Sequence, residues 1–273
     1  MKHLVAVLIA SFGVTSALAA DLPARTYVDP VYDWSGFYIG ANIGYSWGRS
    51  GDTSSLSNVA LFTSAGSTNL NGVVGGEQVG INWQQQNWVW GLEADIQGTG
   101  ERGSRGFTCP AGVCTPPTVT PGPRGQIITG DAVPVSLDQK IAWFGTVRGR
   151  AGVLVSPKVL LYATGGLAYG EVRSNETIGG LPGVFSNSDT TVGYTVGAGI
   201  EGAIGGNWTA KLEYLYVDLG RTSGSFATTI PALGGGIIGA SAPLTSSYNS
   251  RITDNVLRVG VNYKFAGPVV AKY

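Results

Sequence analysis

Residues 258–265, RVGVNYKF, alternate strictly in character. Arg258, Gly260, Asn262 and Lys264 share one face of a strand, and Val259, Val261, Tyr263 and Phe265 share the other, because successive side chains of a strand point to opposite sides. A half-buried strand of a water-soluble sheet has the same pattern. What surrounds the apolar face must be read from the rest of the chain.

The chain has 273 residues, 43 of them glycine, and a formal net charge of zero. Charged residues make up only 12%, about half the usual ~25% of a globular domain. With no basic excess, nucleic acid is not an expected partner. The start, MKHLVAVLIASFGVTSALAA, has a basic tip, a short apolar run and small residues at its end. It reads as a secretory signal over residues 1–19, cut between Ala19 and Ala20. No later stretch approaches ~18 uninterrupted apolar residues, so no transmembrane helix is expected.

Export sets the chemistry of the two cysteines. Cys109 and Cys114, in CPAGVC, are expected to form a loop disulfide, because the periplasm oxidises thiols. A metal site would need further ligands nearby, and none is evident. The single histidine, His3, and the single methionine lie in the signal. The mature chain therefore lacks the natural general base near neutral pH, and no catalytic residue, metal ligand or cofactor is assigned.

Period two organises the remainder into eight segments. The first sets Phe37, Ile39, Ala41, Ile43, Tyr45 and Trp47 against Tyr38, Gly40, Asn42, Gly44 and Ser46. The second sets Val79, Ile81 and Trp83 against Gln78, Gly80 and Asn82. The third sets Trp88, Trp90, Leu92, Ala94 and Ile96 against Gly91, Glu93 and Asp95. The fourth sets Ile141, Trp143, Val147, Ala151 and Val153 against Lys140, Thr146, Arg148 and Arg150. The fifth, 159–169, is less clean, since Leu160 and Tyr162 are apolar on its supposed polar face. The sixth sets Val192 to Ile200 in alternation against Thr195, Gly197, Gly199 and Glu201. The seventh sets Trp208, Ala210, Leu212, Tyr214 and Tyr216 against Thr209, Lys211 and Glu213. The eighth is the RVGVNYKF strand, starting near Asn255.

Tight connections near Gln85-Gln86, Ser156-Pro157 and 205–207 alternate with long polar ones at 48–72, 98–138, 171–191 and 219–254. A soluble sandwich has no reason to sort its loops by length. An outer-membrane barrel has one: short periplasmic turns and long outer loops. Turn parity agrees with this meander. It places Trp83 opposite Trp88, Ile204 opposite Trp208, Glu201 opposite Lys211 and Val153 opposite Val159. The last pairing selects the odd residues of the fifth segment as its outer face.

Aromatic residues cluster at both ends of the apolar faces. Trp83, Trp88, Trp208, Tyr263 and Phe265 fall near the short turns, and Tyr45, Trp47, Trp143, Tyr169, Tyr194 and Tyr216 near the long loops. Two belts match the girdles of a membrane barrel. The fold expected is all-β: an eight-stranded antiparallel up-and-down transmembrane barrel over residues 35–265, preceded by a periplasmic segment 20–34 and followed by a tail 266–273. Val259 then faces lipid and Arg258 faces inward. Eight strands leave an interior that side chains nearly fill. Glu93, Asp95, Lys140, Arg148, Arg150, Glu201, Lys211, Glu213, Arg258 and Lys264 collect there with mixed sign, as a salt-bridged plug or as the lining of a narrow pore.

WSGFYIGANIGYSWG, WVWGLEADIQG, LLYATGGLAYG and NVLRVGVNYKF resemble the small outer-membrane barrel proteins of alphaproteobacteria. These include the immunogenic surface proteins of rhizobia and their relatives, porin-like proteins and haemin-binding proteins. The resemblance covers all eight segments. It implies the outer membrane of a Gram-negative bacterium, with outer-membrane lipid and lipopolysaccharide as surroundings and the barrel-assembly machinery as a partner during insertion. Arg258, Gly260, Tyr263 and Phe265 resemble the insertion signal of such barrels, although AGPVVAKY follows the aromatic here. The family also brings forward haemin, for which a loop tyrosine such as Tyr248 would have to replace the usual His or Met ligand.

GAGIEG (Gly197, Gly199, Gly202), followed by Asp218, matches a dinucleotide fingerprint. That motif requires a helix after the glycines, and AIGGNW is a turn into a strand. Glycines on the crowded inner face of a barrel suffice. The function expected is structural: maintenance of the outer envelope and presentation of surface loops to hosts or phage. A narrow passive porin and a haemin-binding surface protein are the alternatives.

Overall fold

The computed structural model describes residues 32–57, 61–110, 118–122, 125–129, 132–179, 185–230 and 242–265. The signal, its cleavage site at Ala19 and Ala20, residues 20–31, Cys114 and the 266–273 tail lie outside them. The strands are β1 (Gly36–Ser57), β2 (Leu61–Gln85), β3 (Trp88–Thr99), β4 (Arg102–Cys109), β5 (Thr118–Gly122), β6 (Gly125–Thr129), β7 (Val133–Ser156), β8 (Val159–Ile178), β9 (Phe185–Gly205), β10 (Trp208–Ile230) and β11 (Ala242–Lys264).

Antiparallel pairing runs β1-β11-β10-β9-β8-β7-β3-β2 and returns from β2 to β1. The ring of eight strands is thereby closed. β4 carries the β3 wall onward between β2 and β7, and β5 and β6 form a separate two-stranded sheet. Closure pairs Ile43 with Val259. Val259 and Val261 are 53% and 45% exposed, whereas Arg258 and Asn262 are 1% and 2% exposed. The apolar face of RVGVNYKF is the outside of the ring.

Aromatic side chains rim that outer apolar band. Trp88 stacks on Trp90 at 6.0 Å, and Trp208 meets Tyr263 at 5.1 Å, at the short-turn end. Trp47 meets Tyr214 at 6.4 Å, Trp143 meets Tyr169 at 6.0 Å and Tyr194 meets Tyr216 at 6.3 Å, toward the other end. Both expected belts are present.

The expected long loops are largely paired strand instead. β1 and β2 stay in register up to Ser57 and Leu61, and β10 and β11 up to Ile230 and Ala242. Beyond the outer belt the exterior no longer faces hydrocarbon, so it carries Ser, Thr and Asn. The apolar–polar alternation disappears there while the backbone ladder continues.

Four further expectations need correction. A β-bulge lies between Ile141 and Trp143 in β7. One extra residue reverses which parity points inward, so Gln139 and Ile141 are buried and Lys140 lies on the outer side. The turns also pair differently from the expectation. Trp83 pairs with Trp90, and Gln85 with Trp88, around a turn in which Gln86 has φ 57°. Val153 pairs with Leu161 rather than Val159. At the third turn, Trp208 pairs with Gly205 ahead of a bulge rather than with Ile204, while Lys211 still pairs with Glu201. These shifts preserve parity, so the odd residues of β8 do face outward, with Leu161 and Leu167 exposed.

One seam in the wall opens above the outer belt. β9 and β10 are paired only up to Tyr194 and Asp218. A bulge follows, and Gly220 takes φ 78°, with its N–H donated to Asp218 Oδ1 at 2.8 Å. A side chain at that positive φ would be strained. Past this kink β9 pairs only with β8, and β10 only with β11.

Candidate functional site

The interior of the ring is the place where the sequence concentrates chemistry. Strand alternation delivers Glu93 and Asp95 from β3, Arg148 and Arg150 from β7, Glu201 from β9, Lys211 and Glu213 from β10 and Arg258 from β11. All eight side chains are almost wholly buried. Four are carboxylates and four are cations, so the cluster is neutral as a unit.

Its bonds run both along the wall and across the lumen. Glu93 and Arg148 are register partners and form an ion pair. Glu213 and Arg258 are register partners, with Nη2 2.6 Å from Oε2. Across the lumen, Arg148 reaches Glu213 at 3.1 Å, Arg258 reaches Asp95 at 2.9 Å and Lys211 reaches Glu93 at 3.0 Å. Arg150 binds Glu201 at 2.6 Å. Hydroxyls complete the set: Tyr38 donates to Glu93 at 2.7 Å, and Tyr162 donates to Glu213 at 3.0 Å. The Arg150 guanidinium lies 4.0 Å from the Tyr162 ring centroid. Taking such charges out of water is costly, and only this degree of mutual satisfaction offsets it.

Two of the ten expected interior charges stand apart. Lys140 faces outward for the reason given above. Lys264 sits at the short-turn mouth, where its ammonium lies 4.7 Å from the Tyr32 ring centroid and bonds the Asp33 carbonyl. Arg258 of the expected insertion signal belongs to the cluster, while Tyr263 and Phe265, 5.5 Å apart, join the aromatic belt at the short-turn end. Cys109, buried at the end of β4, is disulfide-bonded.

The GAGIEG glycines lie within strand β9, with no helix after them. A Cβ at Gly199 would stand 2.5 Å from the Tyr162 hydroxyl. The glycine makes room for the ring that serves Glu213, and nothing there is shaped for a phosphate.

Layers the sequence reading did not assign pack inside the ring on both sides of the cluster. At the short-turn mouth Trp34 packs on Val89, Leu160 and Tyr162. Its backbone N–H bonds Gln84 Oε1 at 2.9 Å, and its indole bonds the Pro157 carbonyl at 3.4 Å. This explains the apolar Leu160 and Tyr162 on an inner face. Beyond the cluster comes an apolar layer including Leu70, Val74, Phe144, Leu215, Ile252 and Val256. Then Asp52 accepts bonds from Ser50, Thr68, Gln139 and Ser250 at 2.6–3.0 Å. A second apolar layer of Leu56, Val133, Val135, Ile178 and Leu244 lies with buried Cys109. Most residues of the Asp52 cluster and of the Leu56 layer fall in stretches read as loops. Their signal was the even-numbered run 246–254, where Ser246, Tyr248, Ser250, Ile252 and Asp254 are all buried. Tyr248 is thus an interior residue, bonded to Asn187, rather than a surface tyrosine.

Comparison with known proteins agrees with this architecture. The family model described as outer membrane protein beta-barrel domain matches residues 5–265. The 31 kDa outer-membrane immunogenic protein of Brucella melitensis is 36% identical over 277 residues, covering 97% of this chain and 100% of that protein. The 22 kDa outer membrane protein of Rhizobium leguminosarum bv. viciae is 31% identical, covering 70% of this chain and 67% of the other. Among solved structures, Neisserial surface protein A is 13% identical with a TM-score of 0.37, covering 85% of this chain and 98% of that one. The Brucella relatives are named as outer-membrane immunogenic proteins and not for an enzymatic activity. The chain belongs to the outer-membrane β-barrel protein family, and it is an outer-membrane protein of a Gram-negative bacterium.

Proposed function

We propose that the protein is a closed structural barrel that helps to maintain the outer envelope and presents its long paired hairpins outside the cell. The observation that carries this reading is the stacking of the lumen: Trp34, the neutral ion cluster, the Phe144 layer, the Asp52 cluster and the Leu56 layer in succession. Solute passage would require a hydrated path through two apolar layers, and apolar side chains in contact leave no such path.

The hairpins carry polar exteriors on a rigid base, which suits contact with hosts or phage. The outer belt of Trp47, Tyr194 and Tyr214 suits the interface with lipopolysaccharide. Arg258, Gly260, Tyr263 and Phe265 are the residues we assign to recognition by the assembly machinery. Liposome swelling tests the closed state. Vesicles holding the refolded protein are expected to swell in small sugars no faster than empty vesicles. Swelling that scales with protein content would replace this reading with a passive pore.

A further inference from the structure

The seam between β9 and β10 leads into a cavity of about 250 Å³, above the outer aromatic belt. Leu137, Ser174, Glu176, Asn187, Phe226 and Tyr248 are among its walls. Glu176 is 3% exposed, and its hydrogen-bond partner is Ser246 Oγ, at 3.2 and 3.4 Å. Among the described residues no lysine or arginine pairs with it. Burial without a counter-charge raises its pKa from the ordinary glutamate value. Ser174 is likewise 3% exposed, and its hydroxyl, though near Tyr248, makes no hydrogen bond of ordinary geometry.

The arrangement is a buried carboxyl and an unmatched hydroxyl in a space walled by Leu137, Phe226 and Tyr248 and also by the polar Ser186, Asn187 and Ser225. The cavity has room for about eight water-sized groups at ~30 Å³ each. A hard divalent cation would want six or more oxygen ligands, several of them charged, and Glu176 is the one carboxyl among the residues that line this cavity. An ammonium needs fewer: it has three donors and gains from an adjacent aromatic face. We propose that this cavity binds a small primary alkylammonium ion, its head between Glu176 and Ser174 and its chain along Leu137 and Phe226. The seam is the entrance, since no β9–β10 ladder bars it and the Thr222 hydroxyl bonds Asp189 across it at 2.7 Å by side chains alone.

Isothermal titration of the refolded full-length barrel with n-butylammonium chloride tests this, with folding checked by heat-modifiable gel mobility. Saturable binding is expected, at least about tenfold weaker in E176Q, since one charge-assisted bond is lost. Ser174→Leu, which fills the space without touching the charge, is expected to abolish binding. E171Q, which removes a carboxylate from the barrel exterior, is expected to bind as the wild type does. Absence of saturable binding to the wild type, or equal affinity in E176Q, would overturn the proposal.

Discussion

Arg258 and Glu213 face each other across the β10–β11 ladder, and the Arg258 nitrogen that lies 2.6 Å from Glu213 also lies 2.9 Å from Asp95 on the opposite wall. One guanidinium therefore ties a neighbouring pair of strands to a distant one. Slipping β11 by one residue would turn Arg258 to lipid and Val259 into the cluster. The cluster thus fixes register as well as filling space.

Arg258→Met is expected to lower unfolding free energy by about 3–5 kcal/mol, because two carboxylates lose a buried partner. Urea unfolding in lipid vesicles measures it. The double variant R258M/E213Q should cost less than the two single changes added together. Strict additivity would mean that the two side chains do not act as a unit.

Val259→Arg carries a charge to the lipid face instead. The expected cost near the bilayer midplane is about 2–4 kcal/mol, read in the same vesicles. An unchanged midpoint and slope would place Val259 elsewhere.

The bulge in β7 predicts a reversal of accessibility between neighbours. Gln139 is 2% exposed, while Lys140 lies on the outer side. K140C is expected to react with a membrane-impermeant maleimide on the folded barrel, and Q139C is not. Labelling at 139 and not at 140 would move the bulge.

Glu171, just beyond Tyr169 of the outer belt, accepts bonds from Arg173 Nε at 2.7 Å, Ser188 Oγ at 2.6 Å and Trp143 Nε1 at 2.9 Å. The Arg173 and Ser188 bonds chiefly hold its carboxyl down to about 2. A depressed pKa stabilises the fold above the ordinary glutamate value and loses that contribution as pH falls through the folded value. A carboxyl carbon-13 titration should find Glu171 ionised until about pH 2. A midpoint near 4.5 would deny these bonds.

The transmembrane half of this fold was legible because lipid enforces it. Hydrocarbon outside and charge inside write period two into every crossing strand, so faces, belts and the eight central charges could be read from residues alone. Four things were not legible. Lys140 was misassigned because a bulge changes parity without changing composition. The paired hairpins looked like loops because water on their outer side removes the apolar half of the alternation. The Trp34 contact with Leu160 joins distant segments, and only the anomalous apolar inner face of β8 hinted at a partner. The cavity beside Glu176 depends on where β9 and β10 part, which a backbone kink at Gly220 decides.

The central claim is that the lumen is closed, and single-channel recording in a planar bilayer tests it most directly. Verified folded protein is expected to give no current steps at any applied voltage. Reproducible small steps, altered by R148M or R258M, would show that the interior charges line a conducting path and would contradict the closed barrel.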